Sequence, residues 1–145
     1  MLRPARATDL PLLLELIGEY YAFDDLEFDP VVVRRGLEQL LGHPEYGQAF
    51  LIESGGPGAG YCILTYAFDL EFGGRQGFLT DLFLRPGHRG RGLGRESLEG
   101  LERFARDQGL RSLELQVESH NPVAQHFYQK LGFRVHARVP MSKML

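Results

Sequence analysis

The eleven residues Leu84-Arg85-Pro86-Gly87-His88-Arg89-Gly90-Arg91-Gly92-Leu93-Gly94 carry the strongest chemical signal in this 145-residue chain. An apolar run feeds them and an amphipathic pattern follows, so a buried strand leads into a glycine-rich turn and the turn into a helix. Glycine lets backbone come close to a ligand, and the first N–H groups of a helix have no partner inside it. With the helix dipole they form an anion site. Arg89, Arg91 and Arg95 add charge-assisted contacts suited to phosphate. The segment is not a P-loop, because no Lys-Ser/Thr follows at the required spacing. It is not the dinucleotide fingerprint, because the third glycine of Gly90-Arg91-Gly92-Leu93-Gly94 comes one residue early. On spacing alone, a phosphate site, a plain Arg/Gly turn and a short basic patch for RNA all stay open.

Charge is distributed unevenly around this segment. Four arginines lie between Arg85 and Arg95 with no acid among them, and five acids lie between Glu19 and Asp29 with no base. Residues 1–50 hold 4 basic and 9 acidic side chains, and residues 51–145 hold 12 and 10. Two ends of one domain therefore present opposite signs to ligands. The formal net charge of −3 leaves no basic footprint for nucleic acid.

The elements that must position these residues are legible from periodicity. Leu2–Arg6 is a short strand. Leu10, Leu13, Leu14, Ile17, Tyr20 and Tyr21 recur at helical spacing over residues 9–22, after capping chemistry at Thr8 and Asp9. Asp29-Pro30 caps a second helix that Gly42-His43-Pro44 ends. Residues 48–54 and Tyr61–Phe68 form a hairpin around Ser54–Gly58. Gln76–Arg85 is a strand buried on both faces, stopped by Pro86. A third helix carries Leu98, Leu101, Phe104 and Ala105 and ends near Gly109. Leu113, Leu115 and Val117 alternate as a strand. Asn121-Pro122 caps a fourth helix, with Gly132 as its C-cap. The tail, Phe133–Leu145, alternates loosely and is expected to add two short strands. The order β-α-α-β-β-β-α-β-α-β(-β) implies a mixed α/β sheet with helices on both faces. No linker or internal repeat divides the chain, so residues 1–145 are expected to form one domain.

On these residues the chain resembles the GCN5-related N-acetyltransferases. Their acetyl-CoA motif, Gln/Arg-x-x-Gly-x-Gly/Ala after a strand, is matched by Arg89-Gly90-Arg91-Gly92-Leu93-Gly94. Their second hallmark, an Asn-x-x-Ala-x-x-Phe/Leu-Tyr helix ending in Gly-Phe, is matched by Asn121–Tyr128 and Leu131-Gly132-Phe133. Thr80-Asp81-Leu82-Phe83-Leu84 is similar to the Glu-Asp-Leu-Tyr/Phe-Val strand of the branch with the diamine acetyltransferases. The resemblance covers nearly the whole chain. It implies a mixed, mostly antiparallel sheet of six to seven strands, splayed at the cofactor cleft, with four helices.

The resemblance also implies an activity: transfer of acetyl from acetyl-CoA to a small cationic amine by direct attack. The pyrophosphate would sit on the N–H groups of Gly90–Arg95, and the pantetheine arm on the backbone of Leu82, Phe83 and Leu84, with Asn121 across the cleft. Tyr128 would protonate the leaving thiolate, as a phenol with a reference pKa near 10 can at pH 7. Spacing alone reads Tyr128 as a core residue beside Ala124, Phe127 and Leu131. The stretch Glu19–Asp29, with Asp24, Asp25 and Glu27 among aromatic residues, would line the acceptor side and suit a cation. Other readings are acetylation of a protein N-terminus or lysine, and a catalytically silent acyl-CoA-binding module.

The general base is not legible. Thr80 stands where the diamine branch has Glu, and threonine cannot take a proton. Strand alternation points Asp81 to the opposite face. Glu71, Glu118, Asp24 and a water chain are the other candidates. The five histidines show no zinc spacing, so no metal is expected. Cys62 cannot form an internal disulfide, which agrees with a reducing cytoplasm. No apolar run approaches the roughly 20 residues that span a bilayer. Many members of the family dimerise, so a homodimer through the C-terminal strands is expected.

Overall fold

The computed structural model describes residues 1–145. The strands are β1 (Leu2–Pro4), β2 (Gly47–Ile52), β3 (Gly60–Asp69), β4 (Gly74–Leu84) and β5 (Ser112–Leu115). The helices are α1 (Leu10–Phe23), α2 (Pro30–Gly42), α3 (Leu93–Asp107) and α4 (Pro122–Lys130). One sheet has the spatial order β1-β2-β3-β4-β5. The first four strands are antiparallel, and β5 runs parallel to β4.

Local chemistry accounts for the helix ends. The Asp29 carboxylate accepts from the N–H groups of Val31 (2.9 Å) and Val32 (3.3 Å), and Pro30 opens α2. Asn121 caps α4 by accepting from the Ala124 N–H at 3.1 Å. Asp9 acts slightly differently from the expectation. Its carboxylate bonds the Arg6 N–H (2.7 Å) and Arg3, closing a 3₁₀ turn ahead of α1.

The helices cover both faces. Leu13, Leu16 and Ile17 of α1 and Leu37 of α2 pack on Ala49, Leu51, Tyr61 and Phe83. Leu98 and Leu101 of α3, with Phe127 and Tyr128 of α4 and Leu131 just after it, pack on Phe50, Cys62, Leu64 and Leu79. Each fully buried Leu or Ile contributes about 1.5–3 kcal/mol relative to exposure. Alternation along β2 and β3 feeds the two faces in turn.

One irregularity decides what β4 presents. Leu64 pairs with Leu79, but Ile63 pairs with Asp81, so Thr80 is an extra residue, a β-bulge. Leu79 packs on the α3/α4 face and Phe83 on the α1/α2 face. In a regular strand, residues four apart share a face, so the bulge has switched the phase.

Two expectations are corrected. The sheet has five strands rather than six to seven, because Phe133–Leu145 forms no strand. The alternation in the tail is real, but the tail has no sheet face to cover: Val135, Val139 and Met141 are 67%, 81% and 92% exposed. Arg138 is drawn to Glu71 at the β3–β4 turn (2.5 Å), and Pro140 lacks a donor for pairing. The C-terminal strands expected to join a homodimer are therefore not formed. No helix is long and apolar enough to cross a membrane.

Candidate active site

The sheet opens between β4 and β5. The two strands pair only through Gln76–Leu79 and Ser112–Leu115, so β4 continues alone on that side to Leu84. The Arg85 N–H donates to Ala59 O (2.9 Å) across β3. N–H groups alternate between the two edges of a strand. Those of Leu82 and Leu84 therefore face the open edge, while Phe83 pairs toward β3.

Directly beyond Leu84 lies the glycine-rich turn. None of the six N–H groups from Gly90 to Arg95 has a hydrogen-bond partner within the chain. The Glu96 N–H is the first to be satisfied, by Gly92 O at 3.0 Å. Gly90 and Gly92 sit at φ of 74° and 79°, the left-handed region that glycine adopts without strain. Gly92 is the residue that caps α3. A Cβ on Gly94 would lie 3.4 Å from the Phe127 ring and 3.7 Å from Leu84, so turn, open strand edge and α4 converge there. Leu93 is buried beneath. Arg91 and Arg95 are exposed and form no ion pair, which leaves them available to an anion.

Arg89 is placed differently from the expectation. Its Nε donates to Leu84 O (2.7 Å), and its guanidinium lies 4.3 Å from the Phe23 ring centroid and 5.5 Å from that of Phe83. It thus clamps the end of β4 against the end of α1 rather than extending over the turn. Arg85 is also structural. It binds Glu19 bidentately (2.9 and 2.7 Å), reaches Glu15 (2.5 Å), and donates to Gly58 O. The neighbouring guanidinium holds the Glu19 carboxyl below its ordinary range. The basic and acidic segments thus meet through Arg85 and Glu19. Asp29 is spent on capping, which leaves Asp24, Asp25 and Glu27 exposed in the α1–α2 connection. Asp25 adopts φ 53°, which keeps this connection tight.

Tyr128 stands on the α3/α4 face of the opening. Its ring packs edge-on to Phe127 (5.2 Å) and Phe133 (5.7 Å), and its hydroxyl has no partner within the chain. Burial pushes the phenol up to about 12, so it is protonated at neutral pH. Asn121 is exposed at the mouth. Its Oδ1 is committed to the α4 cap, and its amide N–H groups are free.

On the other face the structure assembles a group that sequence reasoning missed. The Tyr61 hydroxyl donates to Asp81 Oδ2 at 2.7 Å. Tyr20 lies against Tyr61 (6.3 Å), Phe83 (5.8 Å) and Tyr21 (5.7 Å). Burial and the nearby carboxylates of Asp24 and Asp81 raise the Tyr20 phenol, and burial with Asp81 raises Tyr61 and Tyr21. Asp81 itself is held above the ordinary carboxylate range, because burial outweighs its hydrogen bonds from Tyr61 and Thr80. A sequence signal was present: Thr80 and Asp81 are adjacent polar residues inside an apolar strand, which is where a bulge is accommodated.

The other candidate bases fall elsewhere. Glu71 is paired with Arg138 at the β3–β4 turn, the far end of β4 from Leu84. Glu118 follows β5 on the exposed surface. Thr80 Oγ1 donates weakly to Ile63 O at 3.4 Å.

Comparison with known proteins agrees with this geometry. The model of the acetyltransferase (GNAT) family matches residues 11–133. Thialysine N-epsilon-acetyltransferase of Bos taurus is 27% identical over 144 residues, 91% of this chain and 82% of that one. Streptothricin acetyltransferase of Streptomyces lavendulae is 27% identical over 130 residues, covering 83% and 66%. The crystal structure of an integron cassette protein from the mobile metagenome of Cole Harbour Salt Marsh superposes with TM-score 0.88 at 32% identity, over 99% of this chain and 90% of that one. The chain spans 45% and 66% of the length of two of the curated relatives it matches. With the family model covering most of the chain, and the open strand edge and anion-ready turn in their places, the chain belongs to the acetyltransferase (GNAT) family.

Proposed function

We propose that this protein is an N-acetyltransferase that moves acetyl from acetyl-CoA to the amine of a small cationic acceptor, in one step within a ternary complex. The observation that carries the reading is the row of six unpartnered N–H groups from Gly90 to Arg95, next to the unpaired edge of β4. The first suits a pyrophosphate, with Arg91 and Arg95 adding charge. The second suits an amide-bearing arm lying along Leu82, Phe83 and Leu84. Asn121 offers its free amide N–H groups from across the opening. Arg89 contributes by fixing the Leu84 carbonyl, which leaves the Leu84 N–H to polarise the thioester carbonyl.

Tyr128 is then the acid. The amine nitrogen attacks the carbonyl carbon, the C–S bond breaks, and the departing thiolate takes the phenolic proton. Burial keeps that proton in place until it is needed. Asp24, Asp25 and Glu27 make the entrance negative and draw a cation toward Tyr20 and Tyr21. The relatives named for thialysine and streptothricin support a small amine acceptor.

The test is free-thiol release from acetyl-CoA across a panel with 1,4-diaminobutane, thialysine, a lysine peptide and a neutral-side-chain amino acid. Turnover led by the small cations is expected. Turnover led by the peptide would favour a protein-directed enzyme. Tight CoA binding without turnover of any amine would make the protein a silent acyl-CoA binder.

A further inference from the structure

Asp81 is a half-buried carboxylate with no cation beside it. Every ion pair in the protein lies elsewhere, and Arg89, beyond the end of β4, is committed to Leu84 O and to the rings of Phe23 and Phe83. The ionisable groups around Asp81 are all acidic or neutral. Tyr20 and Tyr21 face it from α1, and Asp24 lies at the end of α1, beside Tyr20. Tyr61 faces it from β3, with Cys62 behind. Across the opening the only further titratable group near Tyr20 is the neutral Tyr128 phenol. A buried carboxylate surrounded in this way is costly unless something positive arrives. The cluster is built rather than incidental, because the Thr80 bulge is what turns Asp81 onto this face, and Tyr61, 0% exposed, spends its hydroxyl on Oδ2. Beyond Tyr61, only the adjacent Thr80 hydroxyl, shared with Ile63 O at 3.4 Å, reaches the carboxylate, and no cation does.

We infer that Asp81 docks the acceptor's ammonium group and takes its proton, and that Tyr61 is the positioning residue that holds Asp81 for this task. The inference rests on the acetyltransferase reading and deepens it. The balance is simple. Asp81 removes one proton from R–NH₃⁺ and frees the nitrogen lone pair. The C–N bond forms as the C–S bond breaks, and the thiolate leaves with the Tyr128 proton. The new amide nitrogen sheds its extra proton to solvent, from which Tyr128 is restored. The proton on Asp81 is the one released overall. The bulge thus supplies from position 81 a carboxylate that position 80 lacks.

The test compares the pH dependence of kcat/KM for the wild type, Asp81→Asn and Tyr61→Phe, using the panel amine that the wild type turns over fastest. Activity of the wild type falls on the acid side as Asp81 takes up its proton. Asp81→Asn lowers kcat by 10²–10⁴-fold and abolishes that acid limb, while CoA binding by calorimetry is retained. Tyr61→Phe removes a hydrogen bond that favours the charged carboxylate, so the limb moves to higher pH. A purely structural tyrosine would lower activity without moving the limb. A kcat for Asp81→Asn within about threefold of wild type, an acid limb unchanged in Tyr61→Phe, or a rise confined to the amine KM would overturn the inference. A wild type that binds acetyl-CoA but releases no thiol with any amine would instead overturn the acetyltransferase reading, and the base with it.

Discussion

Removal of one hydroxyl at Tyr128 separates chemistry from folding. The Tyr128 ring packs against Phe127 and Phe133, and its oxygen makes no hydrogen bond within the chain. Tyr128→Phe therefore keeps the ring contacts and strands no buried partner, so stability should change by no more than about 0.5 kcal/mol. The catalytic cost is of a different size. General-acid catalysis is typically worth 10²–10⁴-fold, and each tenfold in rate is 1.36 kcal/mol. The barrier should therefore rise by about 3–5 kcal/mol. Steady-state thiol release gives kcat, calorimetry gives acetyl-CoA affinity, and thermal melting gives stability. Only the first should move. The pH profile adds an independent check. With the phenol pushed up to about 12, the proton is held through pH 10, where an ordinary tyrosine is half ionised. Wild-type kcat should show no loss between pH 8 and 10 attributable to this group. A Tyr128→Phe kcat within about threefold of wild type would refute the reasoning and return Tyr128 to the core.

Four further outcomes are expected. Gly92→Val places a β-branched side chain at φ 79°, in front of the unpartnered N–H groups, and should weaken CoA binding at least tenfold in calorimetry while the circular dichroism spectrum stays native. Neutralising Asp24, Asp25 and Glu27 together should raise the acceptor KM and leave the acetyl-CoA KM nearly unchanged, and added salt should produce the same trend because these carboxylates are exposed. Asp81 is held above the ordinary carboxylate range, so its stabilising protonated form is fully present only below about pH 4 and is lost as pH rises through the raised value. Asp81→Asn should accordingly raise the melting temperature at pH 7, and the gain should shrink on acidification. Tyr20, Tyr21, Tyr61 and Tyr128 are all raised, so their contribution is complete below about pH 10 and is lost above it. Melting temperature against pH should bend downward there.

The sequence by itself determined most of the scaffold, because its signals are local. Capping at Asp29 and Asn121, the stop at Pro86 and the Gly90–Gly94 turn depend on residues a few positions apart, and the structure places each where periodicity and capping chemistry put it. The anion-ready turn was legible for the same reason, since unpartnered N–H groups follow from a helix beginning there. Tertiary structure decided what depends on distant partners. Arg89 reads as a phosphate ligand in the sequence, yet the end of α1 offers it Phe23, and β4 offers a free carbonyl. Arg85 and Glu19, 66 residues apart, neutralise each other only because α1 crosses the end of β4. The tail alternates like a strand but has no sheet face to cover. Asp81 is the sharpest case. Strict alternation governs only a regular strand, and the register with β3 inserts one residue at Thr80. The adjacent polar pair Thr80-Asp81 is the one hint along β4, and only the pairing with β3 shows that a residue is inserted there. The insertion turns the carboxylate toward Tyr61 and Tyr20, and it places the proton acceptor on the face where the acidic entrance lies.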